Sequence, residues 1–138
     1  MRTLFRYAGV VAAALVAALS HAGAQSERPA RATSLSVFLD CNFYCDEDFV
    51  RTELTFVNWV RDRAVADVHV LGTTQTAGAG QERTLTFLGL RSFATMVDTL
   101  TLLVADTETD DERRRALVRI LKTGLVRFVA RTTVAGLA

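Results

Sequence analysis

From Ser34 onward, apolar and polar residues alternate. Leu35, Val37 and Leu39 fall on one side, with Ser36, Phe38 and Asp40 on the other. A period of two predicts a β-strand over residues 34–40 with one face in a core, and Phe38 leaves the other face partly apolar. Asp46, Glu47 and Asp48 come next; three acids favour the positive end of a helix. Phe49, Val50, Leu54, Val57 and Val60 then recur at helical spacing, with Phe56 and Trp59 widening the stripe. This pattern predicts an amphipathic helix over residues 46–61.

Alternation returns in residues 66–76, where Ala66, Val68 and Val70 oppose Asp67, His69 and Leu71. It resumes through Leu85 and Phe87 in residues 83–90, after the glycine-bearing run Ala77-Gly78-Ala79-Gly80-Gln81. Two such runs around a glycine turn predict a β-hairpin, and their threonines and valines supply the β-branched bias. A further strand is expected over residues 98–105. Thr109 and Glu112 then have capping-box spacing. Leu117, Val118, Leu121, Leu125 and Phe128 continue as a helical stripe to about residue 130. Gly124 interrupts it, at about 1 kcal/mol relative to alanine unless a close neighbour needs the space. The expected fold class is α+β, a two-layer β-α-β-β-β-α domain over residues 34–131. Its four-stranded mixed sheet would carry both helices on one face, and its first crossover would be right-handed.

The first 24 residues have another character. Arg2 and Arg6 precede an apolar run over residues 7–19, and Ala22-Gly23-Ala24 offers a small-residue cleavage site. That is the pattern of a secretory signal peptide. Export to the periplasm or beyond the cell is therefore expected, where a disulfide persists. Residues 25–33, with the chain's one proline at Pro29, are expected to be a flexible lead-in. Residues 132–138 are expected to be a flexible tail.

Cleavage would remove two of the sixteen basic residues and none of the fifteen acidic ones, leaving fourteen against fifteen. So nearly neutral a chain has no global field to attract nucleic acid. No apolar run after the leader is long enough to span a bilayer as a helix, so no transmembrane segment is expected in the mature domain.

The chemistry-bearing residues are few. Cys41 and Cys45 flank Asn42-Phe43-Tyr44 between a strand and a helix. A structural disulfide is expected there, worth roughly 2 kcal/mol by loop entropy. Thiol-disulfide exchange is the enzymatic alternative: helix amides would favour a Cys45 thiolate, and Asp46, Glu47 and Asp48 would oppose it. Zinc would need His69 and an aspartate to complete an unusual spacing. The acids at 106–112 lack the helix-loop-helix calcium pattern, and Gly78-Ala79-Gly80 lacks the lysine of a phosphate loop. No metal or cofactor and no catalytic residue is therefore expected. His69 suits a hydrogen-bonded place on the less apolar sheet face, and Arg113-Arg114-Arg115 reads as solvated charge.

Several segments carry a resemblance. These are Phe38-Leu39-Asp40-Cys41, Cys45-Asp46, the run from Phe56 through Asn58, Trp59, Val60, Arg61 and Asp62 to Arg63, then Asp67-Val68-His69-Val70 and Asp98-Thr99-Leu100. Across most of residues 34–131 the chain resembles an uncharacterised family of exported bacterial proteins. In longer relatives this region looks like a periplasmic domain placed before an outer-membrane β-barrel. Its strand-helix order is similar to small envelope domains of the TolB amino-terminal and CsgG-like kind. The resemblance implies a noncatalytic interaction or assembly domain whose partner is an envelope protein or a barrel, with a structural accessory domain as a further reading. Asn58, Trp59, Arg61, Asp62, Arg63, Asp67 and His69 are the candidate interaction surface.

Overall fold

The computed structural model describes residues 34–135, with side chains described through Thr132. The expected leader and lead-in lie outside the described residues. Five strands form one mixed sheet in the order β2-β1-β3-β4-β5. They are β1 (Ser36–Cys41), β2 (Asn58–Trp59), β3 (Val68–Thr76), β4 (Gly80–Gly89) and β5 (Val97–Ala105); the helices are α1 (Glu47–Glu53) and α2 (Asp110–Ala135). β1 runs parallel to both β2 and β3, whereas β3-β4 and β4-β5 are antiparallel.

The expected four-stranded sheet is thus corrected to five strands, because the helix expected over residues 46–61 stops early. α1 ends at Glu53, and Leu54, its C-cap, leaves helical geometry at φ −111°, ψ 79°. The next six residues, Thr55 to Val60, hold two β-branched valines, a threonine and two aromatics, which suit an extended backbone better than a helix. Asn58 N–H donates to Leu35 O at 2.8 Å and Val60 N–H to Val37 O at 2.9 Å, laying β2 along β1. Trp59 Nε1–H donates to Leu54 O at 2.9 Å, taking up a carbonyl that the short helix leaves unpaired. Leu54 and Val57 are buried, as an apolar stripe requires, but by a turn and a strand instead of a longer helix.

The alternating runs behave as their periodicity predicts. Val37, Leu39, Val68, Val70, Leu85 and Phe87 form one core with Val50 and Leu54 on the α1 side and Leu117, Leu121, Leu125 and Phe128 on α2. Register places Leu39, Val70 and Phe87 side by side across three strands. Gly124 of α2 lies over Phe87: a β-carbon there would fall inside the ring's van der Waals envelope. The opposite sheet face pairs Phe38 with His69 and His69 with Leu88. Further out on the same face, Val97 and Leu103 of the edge strand β5 are 63% and 69% exposed.

The start of α2 forms the expected capping box. Glu112 N–H donates to Thr109 Oγ1 at 3.2 Å, and Thr109 N–H donates to Glu112 Oε2 at 2.8 Å. The Thr109 amide, then its hydroxyl, hold the Glu112 carboxyl below the usual range. A depressed carboxyl stabilises the fold at pH above its unfolded value of about 4.3. That contribution is lost as pH falls through the lower folded value. Thr109→Ala should cost about 1 kcal/mol at neutral pH; because that change keeps the residue-109 amide, the carboxyl itself is tested by Glu112→Gln, which should flatten this part of the acid limb. Tm measured from pH 6 down to about pH 3 checks it: a Glu112→Gln variant whose Tm falls in parallel with the wild type across that window would contradict the capping role of Glu112.

Candidate functional site

The site is built around a five-residue covalent loop. Cys41 ends β1, Cys45 lies just before α1, and the two form a disulfide with Cα atoms 6.4 Å apart. Asn42 N–H donates to Gly72 O at 2.9 Å, so the loop leaves the sheet still tied to β3. Asp46 follows in the left-handed region at φ 39°, and its carboxylate accepts from Phe49 N–H at 3.3 Å as the α1 N-cap. The disulfide fixes the loop between a strand end and a strained cap. Gly72 makes this possible: a β-carbon there would lie 3.1 Å from Cys41 Sγ, 3.1 Å from Phe43 and 3.2 Å from Leu85.

Phe43, held by that loop, lies under Arg83 of β4, with the guanidinium carbon 4.4 Å from the ring centroid. Arg83 occupies the position in the alternation that Leu85 and Phe87 also occupy, so it points into the helix-covered face and is only 8% exposed. Its Nε–H finds no acceptor, and no hydrogen bond or ion pair engages its guanidinium among the described residues. Burial first, and then the charge of Arg113, lower its pKa from the ordinary guanidinium value; Glu108 acts in the opposite sense.

Arg83 lines a hollow of about 280 Å³ together with Tyr44, Cys45, Asp46, Arg113 and Leu117, and Asp110 and Arg114 complete the wall. Tyr44 is 82% exposed at the mouth. Arg113 donates from Nη2 to Asp106 O at 3.2 Å and approaches Asp110 at 3.4 Å, while its buried Nε–H is unpartnered. Arg114 is fully engaged: it bonds Asp111 at 2.7 and 2.9 Å, reaches Asp46 at 3.5 Å and stacks over Phe49 at 4.3 Å. The hydrogen bond that Arg114 donates to Asp111 is the main influence raising the Arg114 pKa, and the same bond is the main influence lowering that of Asp111. Arg114 therefore fastens the start of α2 to the start of α1. Arg83 and Arg113 keep free donors.

The remaining sequence-predicted residues lie around β2, the 3-10 turn after it and the start of β3, and none of them lines the hollow. Asn58 Nδ2–H donates to Ser36 Oγ at 3.2 Å on the edge strand. Asp62 accepts from Ala64 N–H at 2.8 Å and caps the 3-10 turn Arg63–Val65, while Arg61 and Arg63 point to solvent. Asp67 accepts from Ser36 N–H at 2.9 Å, fixing the start of β1. In this stretch Asn58, Trp59, Asp62 and Asp67 organise the β1-β2-β3 connections. His69 is on the sheet face where alternation puts it, 5.2 Å from the Phe38 ring and 3.4 Å from Asp40 Oδ2, and is 8% exposed. The hydrogen bond expected of it is missing: neither ring nitrogen has a partner meeting hydrogen-bond geometry.

Sequence reasoning missed Arg83, Arg113 and the hollow between them. The signal for Arg83 was its phase: an arginine two residues before Leu85 and four before Phe87 sits on the core side of the strand. No group of three or more metal-ligating side chains occurs among the described residues, and none of their helices is long and apolar enough to cross a membrane. Compared with protein-family models, curated proteins and solved structures, the chain matches none.

Proposed function

We propose that this chain is an exported, noncatalytic binding domain of the bacterial envelope, the role implied by its resemblance to periplasmic domains that precede outer-membrane barrels. The observation that carries the reading is the Cys41–Cys45 disulfide together with what it frames. Such a bond persists where the surroundings are oxidising. This one holds Phe43 beneath a buried arginine and Tyr44 at the mouth of a hollow. Cross-linking the strand end to the helix start pre-organises that loop, which lowers the ordering cost of binding. The partner is an envelope protein met through the clasp end of the domain.

A photo-crosslinking residue at Tyr44, introduced in the exporting cell, tests this. It should give one discrete adduct identifiable by mass spectrometry. The same residue at Val126, exposed toward the far end of α2, should give none. Equal and diffuse labelling from both positions contradicts the reading.

Thiol-disulfide exchange is the second reading, and one observation favours it: both cysteines line a surface hollow beside Tyr44 and Asp46. Against it, Cys45 is buried, and Asp46, Glu47 and Asp48 follow it directly, opposing a thiolate. A structural bond is expected to have a potential below about −300 mV, and an exchange catalyst one nearer −120 to −270 mV. Equilibration of the purified domain with glutathione and dithiothreitol buffers separates the two.

A further inference from the structure

We propose that the hollow beside the disulfide is a carboxylate-binding site, in which the guanidinium fork of Arg83 takes the two oxygens and the charge of Arg113 lies alongside in the wall. The inference deepens the binding-domain reading and rests on it. Its basis is Arg83. This side chain is more than nine-tenths buried, carries five N–H donors and meets no acceptor among the described residues. Its Nε–H is buried without an acceptor, the Phe43 ring beside it offering none, and native structures supply acceptors for such donors. Protein partners are close by but committed elsewhere. Glu108 accepts from Ala105 N–H at 3.0 Å, Asp111 serves Arg114 and Arg115, and Asp46 caps α1.

The class of ligand follows from charge and shape. Three arginines and two aspartates line the hollow, so one negative charge balances it. A phosphate dianion would bring a second charge against Asp46 and Asp110. A carboxylate is planar and monoanionic and matches the arginine fork in a bidentate manner. At about 280 Å³ the space lies just below the range of ordinary small-molecule sites, enough for a carboxylate and a short substituent. Leu117 and the exposed ring of Tyr44 offer that substituent an apolar wall. Two sources share this chemistry, a free organic acid and the C-terminal carboxylate of a peptide. Phe43, stacked on the other side of the guanidinium, keeps the fork in one orientation.

The test uses the oxidised, 15N-labelled mature domain and follows the Arg83 Nε–Hε resonance. The probes are benzoate, N-acetyl-Ala-Ala-Phe with a free C-terminus, the same peptide as its C-terminal amide, and inorganic phosphate. The proposal expects a saturable shift with at least one of the two acids, with amide and phosphate at least about tenfold weaker. Equal binding of benzoate and the peptide acid identifies a small-acid site; binding of the peptide acid alone identifies a chain terminus. The Arg83→Met variant should lose acid binding at least about tenfold while keeping or raising Tm, since it removes a buried charge that no carboxylate pairs and leaves an apolar chain against Phe43. Arg83→Lys should keep the charge and still bind more weakly, for want of the fork. Saturation by none of the four probes, an amide as tight as the acid, or phosphate tighter than both acids overturns the proposal. The crosslinking experiment from Tyr44 reads the binding role without reference to carboxylate, so failure of the carboxylate site is distinguishable from failure of the binding role.

Discussion

Replacing Gly124 by alanine is expected to destabilise the fold by about 2 kcal/mol, although the change favours an isolated helix. Helix propensity alone gives alanine about 1 kcal/mol over glycine. Packing runs the other way: the new methyl would overlap three atoms of the Phe87 ring, which is itself fully buried between Leu85 and the α2 residues. Overpacking a filled core costs typically 1–3 kcal/mol, and occasionally more. The three overlaps here place this site at about 3 kcal/mol. For a domain of this size the net loss corresponds to a fall in Tm of about 8–15 °C. The cause is tested by the double variant. Phe87→Leu vacates the space, so Gly124→Ala on that background should become neutral or stabilising, with a coupling of at least about 2 kcal/mol. A Tm that rises on Gly124→Ala alone would show that the helix does not press on the ring.

The second large effect concerns the clasp. Cys41→Ser with Cys45→Ser is expected to lower stability by roughly 2 kcal/mol, the loop entropy of a five-residue closure. The loss should also be local. Asp46 sits at positive φ directly after Cys45, and Phe43 and Tyr44 are carried by the same loop. Without the bond, amide exchange in residues 41–46 should accelerate more than in β3 or β4. The Phe43 contact with Arg83 should loosen with it. Hydrogen exchange by mass spectrometry on the oxidised wild type and the double serine variant measures this. Uniform acceleration across the domain would mean that the bond stabilises only globally and does not hold the site.

These two sites differ in how far the sequence announced them. Gly124 stood out as an exception within a helical stripe, and the reason for it was already bounded: a neighbour needing space. That neighbour, Phe87, lies 37 positions away, beyond the reach of periodicity. The cysteine pair was legible because four-residue separation between a strand pattern and an acidic helix start allows closure. The strand phases of Leu35, Val37 and Leu39, of Val68 and Val70, and of Leu85 and Phe87 were also plain, because a period of two is unambiguous when one face is buried. The capping box at Thr109 and Glu112 was equally direct.

The end of α1 was not legible. Leu54, Val57 and Val60 are three apart, a spacing that a helix shares with a turn followed by a short strand. The two-residue β2 exists only because β1 offers it a parallel partner 22 positions away. The site was hidden for a related reason. Arg83 reads as a polar residue near a hairpin, and Arg113 as part of a solvated basic run. Only the fold brings Phe43, Arg83 and the first turn of α2 to one place. The stretch from Asn58 to Asp67, by contrast, drew attention as a recognition surface. Its side chains largely satisfy backbone groups of β1, α1 and the turn before β3.

The proposed role as an exported binding domain depends on a Cys41–Cys45 bond that is closed in the working state. Differential alkylation of the protein recovered from its own compartment, read by intact mass, tests it most directly. The account predicts no alkyl group added before reduction and two added after it. Two alkyl groups added before reduction would contradict it.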